Sequence, residues 1–258
     1  MITTRRLSDL RGPQIHDLVS DRSVIIQPVG AVEQHGPHLP LSTDLVIARA
    51  AAEAVVAQAG DELDLWMLEP LAFSKSNEHA WSAGTVWLSA DTLLKVIDDI
   101  ARCVATTRAE RLVFLNGHGG NSSLLNVACR EARLAHGLKT FLTHPSVPPD
   151  QGGASTEDEL GMGIHAGLME TSVMLHLRPD LCDMSLAERN VPERLAANDH
   201  VRFGGAVSFG WLSNDFGPDG HIGDPTGANA DLGKRHFEGA VDNLVAQMAE
   251  IAAFDFGR

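Results

Sequence analysis

A chain of 258 residues with 44% hydrophobic side chains can bury a large core without disulfides and suits one domain over residues 1–258. Its net charge of −14, without a basic stripe, argues against a nucleic-acid partner. Widely spaced cysteines (Cys103, Cys129 and Cys182), no apolar signal segment and no run of roughly 20 apolar residues predict a cytoplasmic protein that does not enter the membrane.

Predicted strands and helices alternate along the chain. Short apolar runs predict strands at 23–29, 63–70, 111–117 and 139–145, and amphipathic stretches predict helices at 44–60, 91–109, 121–137 and 229–253. Continuous apolar strands that alternate with helices are typical of a mostly parallel sheet covered on both faces. The Pro/Gly-rich connector at 144–163 is interpreted as a long active-site loop rather than a domain linker.

Potential metal ligands follow the first predicted strand, where the sequence reads "AVEQHGPHLPLSTD" (31–44). Ligands of open α/β sheets bind beyond the carboxyl ends of the strands, so Glu33, His35 and Asp44 should lie at a site. Each has an ordinary explanation alone: Glu33 on the surface, His35 in a loop, Asp44 as a helix cap. Their combination favours a metal site, while His38 is equally consistent with a supporting hydrogen bond and with the surface.

A second polar cluster, "NGHGGN" (116–121), follows the third predicted strand. A glycine loop before a helix can cradle phosphate, but this one matches neither GxGxxG nor GxxxxGK[ST]. We therefore interpret His118 as a metal ligand, with Gly119 and Gly120 allowing substrate and metal to approach the backbone. Asn121 can cap the next helix, which is its ordinary structural explanation.

A third cluster lies in "GIHAGLMETSVMLHL" (163–177), which has helical spacing from Ala166 onward. Glu170 falls in the first turns, where a carboxylate would ordinarily complement the helix dipole. In an otherwise apolar stretch an unpaired carboxylate is costly to bury, and a cation would relieve that cost. His165 precedes the helix, and Met169 and His176 are interpreted as structural.

Glutamate, aspartate and histidine without thiolates form a ligand set that suits Zn²⁺ or Mn²⁺, and Fe²⁺ is possible. The set is large enough for two ions if one carboxylate bridges them. No GxSxG elbow and no recognisable nucleophilic cysteine motif is present. These features indicate hydrolysis by metal-activated water.

The chain also resembles the creatininase (creatinine amidohydrolase) family. The matching stretches are "VGAVEQHGPHLPLSTD", "NEHAWSAGTVWLSADTL", "NGHGGNSS", "HAGLMETSVML" and "GHIGDPTGA", in this order. The resemblance implies a three-layer α/β/α sandwich, a two-metal centre, hydrolysis of non-peptide C–N bonds through a metal-bridging hydroxide, and a homo-oligomer, commonly a hexamer.

The resemblance also implies roles for single residues. Glu33, His35, Asp44 and His118 fall on ligand positions, with Asp44 as the bridge. Creatininase proper has an acidic ligand two residues after the motif histidine, whereas this chain has Gly120. The resemblance therefore moves the missing ligand to Glu170, as expected in the "GHGGN" branch. His165 matches the proton-transfer histidine, although Ile164 replaces an acid of creatininase.

Three functions are consistent with these observations. The main hypothesis is a cytoplasmic amidohydrolase that acts on a small-molecule, cyclic amide. The first alternative is a peptidase or formamide hydrolase of the "GHGGN" branch, similar to enzymes of peptide-cofactor (mycofactocin) maturation. The second is a non-catalytic module that binds an anionic ligand. We expect Trp81 and Trp87, with Phe73 and Trp211, to line the substrate pocket, although core packing explains them equally well.

Overall fold

The computed structural model describes residues 4–148 and 151–257. Its strands are β1 (Val24–Val29), β2 (Leu65–Met67), β3 (Arg111–Asn116) and β4 (Lys139–Thr143). Its α-helices are α1 (Gly12–Leu18), α2 (Thr43–Leu63), α3 (Ala90–Val104), α4 (Ser122–His136), α5 (Leu168–Leu177), α6 (Glu193–Ala196) and α7 (Ala230–Ala253). Every strand and helix expected from the sequence is present. Within these residues, no helix has both the length and the hydropathy to cross a bilayer.

The four described strands form one parallel sheet in the order β2-β1-β3-β4. All residues of β1 and β3 are buried, as expected for central strands covered on both faces. The chain runs from β1 to β2 on one side and then crosses to β3 on the other. In such sheets a crevice opens at this change of direction, beyond the carboxyl ends of the two strands.

Alternate residues of the strands contribute to two separate cores. Ile25 and Phe114 point to the face covered by α1, α3 and α4, while Ile26 and Val113 point to the face covered by α2 and α7. Because helices cover both faces of the sheet, the expected three-layer α/β/α sandwich is confirmed.

Two helix ends differ from the sequence-based expectation. Helix α2 continues past Gly60, and the chain turns instead at Asp64, which adopts a left-handed conformation with φ 53°. The Asp64 carboxylate accepts hydrogen bonds from the Ser23 hydroxyl (2.5 Å) and Trp66 Nε1 (2.9 Å), which hold this conformation. Helix α3 ends at Val104 rather than at residue 109. At this end the Thr107 hydroxyl donates a hydrogen bond to the Val104 carbonyl oxygen (2.8 Å).

Glu159, whose side chain is almost fully buried, anchors the described part of the connector at 144–163 to the start of α5 and to Asp224. The carboxylate of Glu159 accepts hydrogen bonds from the backbone N–H groups of Thr156 (3.1 Å), Leu168 (3.0 Å) and Asp224 (2.8 Å). Three backbone donors satisfy a buried carboxylate well. Glu159 therefore fixes the loop that leads into α5.

Candidate metal centre

The site begins where the ends of β1 and β3 meet the first turn of α2. Gly117 directly follows β3, and a Cβ atom there would lie 2.8 Å from the Asp44 carbonyl oxygen and 2.9 Å from Ala48 Cβ. Glycine at position 117 thus allows the strand end to contact the backbone of α2. This contact places Asp44, on the first turn of α2, beside His118.

Asp44 lies between two imidazoles instead of capping its helix. Its Oδ1 is 3.2 Å from His35 Nε2, and its Oδ2 is 3.1 Å from His118 Nδ1. All three side chains are buried. Because each carboxylate oxygen faces a different imidazole, Asp44 has the geometry expected of a ligand that bridges two ions.

Glu33 completes the floor of the site. Its Oε1 lies 3.3 Å from both His118 Nδ1 and His79 Nε2, and 3.9 Å from His165 Nδ1. Nevertheless, both Glu33 oxygens and Asp44 Oδ2 are buried without a hydrogen-bond partner among the described residues. Such oxygens are costly to leave unpaired, and a cation among them would satisfy them. The donor set of carboxylates and imidazoles fits Zn²⁺ or Mn²⁺.

Glu170, in the first turn of α5, lies beside His35 and His165 of the same centre. Its Oε1 lies 3.8 Å from His35 Nε2, and its Oε2 accepts a hydrogen bond from the Ala166 N–H (2.6 Å). His35, His165 and Glu170 form one set whose ligand atoms lie within 4.8 Å of one another. Glu33, His35 and Asp44 form another. The structure thus brings together all five residues that the sequence suggested as ligands.

His165 lies at the centre of the site. Its Nε2 donates to the Gln34 carbonyl oxygen (2.7 Å), so Nδ1 carries the lone pair that faces Glu33. Its ring lies between those of His35 and His79, with centroid distances of 4.2 and 4.3 Å. With Glu33 and His79 it forms a further possible ligand set. This position suits a proton carrier and also suits a ligand.

The buried charges shift the pKa values of these groups in opposite directions. Burial raises the pKa of Glu33 to about 7, although His118 partly opposes this effect. Burial alone would lower the pKa of His35 and of His118, but nearby carboxylates, first Asp44 for His35 and first Glu33 for His118, raise both well above 6.5. Burial lowers the pKa of His79 to about 3. The site therefore combines cationic and neutral imidazoles around its carboxylates.

A cavity of about 570 Å³ opens above this cluster. Gly119 and Gly120 line it together with the ligand candidates Glu33, Asp44, His118 and Glu170 and with His165. Met169, interpreted as structural from the sequence, also lines it.

One wall of the cavity is aromatic, with Phe203, Phe209 and Trp211. The expected pocket residues Trp81, Trp87 and Phe73 lie outside the lining and are 39, 44 and 46% exposed. Trp81 Nε1 donates instead to the Ser213 hydroxyl (2.7 Å). Among the four aromatic residues, the structure therefore places Trp211 alone in the cavity wall.

Two buried residues of the site, Glu78 and His79, were not singled out from the sequence. They lie in a 3-10 turn (Asn77–His79) in the connection between β2 and α3. The signal, "NEHA", was visible only as part of a longer family motif, because β2 is three residues long and ends ten residues earlier. His38 is buried and its Nε2 lies 3.0 Å from the Thr171 hydroxyl, so it supports α5 from inside rather than lying on the surface.

Known proteins are similar to most of this chain. A family model described as "Creatinine amidohydrolase" matches residues 8–248. The mycofactocin precursor peptide peptidase of Mycobacterium ulcerans is 37% identical over 232 residues, covering 87% of this chain and 84% of the relative. The creatinine amidohydrolase of Pseudomonas putida is 34% identical over 178 residues, covering 62% and 66%.

Solved structures of creatininase share the fold. A form described as "Creatininase Mn" superposes with a TM-score of 0.74 at 24% identity, and a variant described as "Zn-Zn type" with 0.73 at 22%. Each comparison covers 96% of this chain and 98% of the other.

Proposed function

The chain belongs to the creatininase family of amidohydrolases, and we propose that it hydrolyses an amide bond of a peptide at a centre of two divalent ions. The residues proposed to hold the ions are Glu33, His35, Asp44, His118 and Glu170. One observation carries the proposal. Both carboxylate oxygens of Glu33 and the Oδ2 atom of Asp44 are buried without hydrogen bonds, and Glu33 Oε1 and Asp44 Oδ2 face imidazole nitrogens in the cavity.

We assign the ions as Zn²⁺ or Mn²⁺, with Fe²⁺ as a further candidate, because the donors are oxygen and nitrogen without thiolate. When bound, such ions polarise the amide carbonyl and make water a nucleophile at neutral pH. The protein supplies the remaining groups. The Nε2–H of His165 donates a hydrogen bond to the Gln34 carbonyl oxygen. Its Nδ1 can therefore accept a proton from water and deliver it to the leaving nitrogen.

The shape of the cavity favours a peptide over a small cyclic amide. Its volume of about 570 Å³ lies in the range that holds drug-sized ligands. The wall formed by Phe203, Phe209 and Trp211 offers apolar surface for a side chain of such a substrate. The relatives named as peptide peptidases also match 87–90% of this chain, whereas the relative named as creatinine amidohydrolase matches 62%.

A cyclic amide remains the second candidate, because the matching family model is described as creatinine amidohydrolase. We place the protein in the cytoplasm, in line with its three unpaired cysteines. We also propose a homo-oligomer, since the exposed side chains of Phe73, Val86 and Trp87 offer an apolar surface for contacts between copies.

The test is hydrolysis by purified protein loaded with Zn²⁺ or Mn²⁺ and freed of excess metal. Short peptides with apolar residues, cyclic amides and formamides are offered separately, and products are identified by mass spectrometry. We expect peptide cleavage that the Asp44→Asn variant loses together with its metal. The control Asp242→Asn, on the exposed surface of α7, should match the wild type. A folded wild-type protein that retains no metal would contradict the proposal.

A further inference from the structure

Glu78 approaches His118 on the ring edge opposite the carboxylates of the site. His118 Nδ1 faces Glu33 and Asp44, whereas Nε2 lies 3.2 Å from Glu78 Oε1 and 3.0 Å from the Lys75 carbonyl oxygen. Both neighbours of Nε2 accept hydrogen bonds, so Nε2 must carry the proton. Nδ1 is then the nitrogen that faces the centre, and its lone pair becomes available when its proton is released on metal binding.

Glu78 is itself fixed in place. Its other oxygen, Oε2, lies 3.1 Å from Lys75 Nζ, and only 7% of the residue is exposed. The 3-10 turn that carries Glu78 packs near Ser213, whose hydroxyl donates to the Glu78 carbonyl oxygen (3.3 Å). The carboxylate therefore has a defined position against the imidazole.

The same carboxylate explains why position 120 carries glycine. A Cβ atom at Gly120 would lie 1.8 Å from Glu78 Oε1 and 2.4 Å from His118 Nε2. The φ angle of Gly120 is not in the left-handed region, so backbone strain does not require glycine here. Space requires it: a side chain at position 120 and the Glu78 carboxylate exclude each other.

We propose that Glu78 is a positioning residue of the metal centre. It accepts a hydrogen bond from the Nε2–H of His118 and so directs Nδ1 toward Glu33 and Asp44. It also fills the space next to His118 that a side chain at position 120 would need. Carboxylates that accept a hydrogen bond from a metal-bound histidine orient the ring and strengthen it as a donor. This inference rests on the metal centre of the proposed function.

The first test measures Zn²⁺ affinity by competition with a chelating dye, on the full chain. We expect Glu78→Ala to weaken binding about 10- to 100-fold, the usual cost of losing such a carboxylate, and Glu78→Gln to have a smaller effect. Glu250→Ala, on the exposed surface of α7, is the matched control. The ¹⁵N signals of His118 in the zinc-loaded protein should show the Nε2–H form in the wild type and altered exchange in Glu78→Ala.

The second test uses Gly120→Ala alone and combined with Glu78→Ala. Alone it should weaken zinc binding, because its methyl group displaces the Glu78 carboxylate. In the Glu78→Ala background it should cost less than in the wild type, because the conflict with the carboxylate is gone and only the conflict with the His118 ring remains. If the wild type binds zinc and Glu78→Ala and Glu78→Gln bind it equally tightly, the inference on Glu78 is wrong while the proposed function stands. A wild type that binds no zinc would instead refute the proposed function.

Discussion

Single residues of the centre have separable tasks, and Asp44 shows this most clearly. Each of its oxygens faces a different imidazole, at 3.2 Å for His35 and 3.1 Å for His118. In the proposed centre, loss of Asp44 would remove a ligand from both ions, whereas Glu170 lies beside His35, at 3.8 Å, and His165. The two carboxylates should differ in how many ions depend on them.

We predict that Glu170→Gln reduces bound metal from two ions per chain to about one. The amide keeps the shape of the carboxylate but loses its charge. The ion that His35 and Glu170 would hold should therefore bind more weakly, while Asp44 and His118 would still hold the other. Metal content after dialysis, by elemental analysis, checks this, with Glu250→Gln as the control. Two retained ions and unchanged activity would exclude Glu170 as a ligand.

We predict that His165→Ala lowers kcat by about 10²–10⁴, the usual contribution of general acid–base catalysis, and leaves metal content unchanged. The reason is that the His165 Nδ1 faces the centre while Nε2 is held by Gln34. Exposed His16→Ala is the control. Loss of an ion would instead make His165 a ligand, and an unchanged kcat would mean that another group moves the proton.

The sequence suggested Glu33, His35, Asp44 and His118 because they follow strand ends in short, dense polar stretches. It suggested Glu170 because a carboxylate in an apolar helical stretch is costly to bury, and the family resemblance pointed to the same residue. The sequence did not reveal Glu78 and His79 as site residues. They lie in a 3-10 turn that contacts His118 although it is about 40 residues away in the chain, and only the tertiary structure shows that contact.

The aromatic wall of the cavity was predicted only in part, because just one of the four expected aromatic residues, Trp211, lines it. Trp81, Trp87 and Phe73 have exposed side chains, whereas Trp211 is half-buried. The exposure of a side chain depends on tertiary packing, which the spacing of residues in the sequence does not predict.

At the scale of elements, the centre depends on how closely β3 approaches α2. Strand–helix alternation predicted both elements and the parallel sheet, because the spacing of apolar residues along the sequence shows which face of each element is buried. The order β2-β1-β3-β4 and the contact of Gly117 with the α2 backbone required the structure. This contact joins the turn that carries His118 to the turn that carries Asp44.

We predict that Gly117→Ala destabilises the protein by about 1–3 kcal/mol, as overpacking usually does, and weakens metal binding. The added methyl group would lie 2.8 Å from the Asp44 carbonyl oxygen, so α2 must move away from β3. Urea unfolding and zinc titration check the two effects. Gly239→Ala, an exposed position of α7 with open space around it, should be neutral or slightly stabilising. Equal behaviour of both variants would contradict the prediction.

At the scale of the whole molecule, the net charge of −14 favours cations over anionic partners near the surface. Much of the buried charge lies in the centre, where the Glu33 and Asp44 carboxylates meet the imidazoles of His35 and His118. Without metal, protons on these imidazoles offset the carboxylates. Metal and protons therefore compete for the same groups, which links stability to pH.

The raised groups set the sign of this link. The pKa of Glu33 is raised by burial from 4.5 to about 7, and the carboxylates raise the pKa of His35 and His118 well above 6.5. A group with a raised pKa in the folded state stabilises the fold below its unfolded pKa and loses that contribution as the pH rises through the folded value. Burial lowers the pKa of His79 from 6.5 to about 3. Its contribution to stability therefore changes only between about pH 3 and 6.5 and is constant at higher pH.

We therefore predict that the metal-free protein loses stability as the pH rises above about 6.5, while the metal-loaded protein gains metal affinity as protons leave the ligands. The difference in melting temperature between the two forms should widen from about pH 6.5 to about pH 8.5. Thermal melts of dialysed zinc-loaded protein, with and without a chelator, measure it. Asp44→Asn, which should bind little metal, should show no chelator effect at either pH. A difference that stays constant or narrows would mean that these groups do not bind the metal.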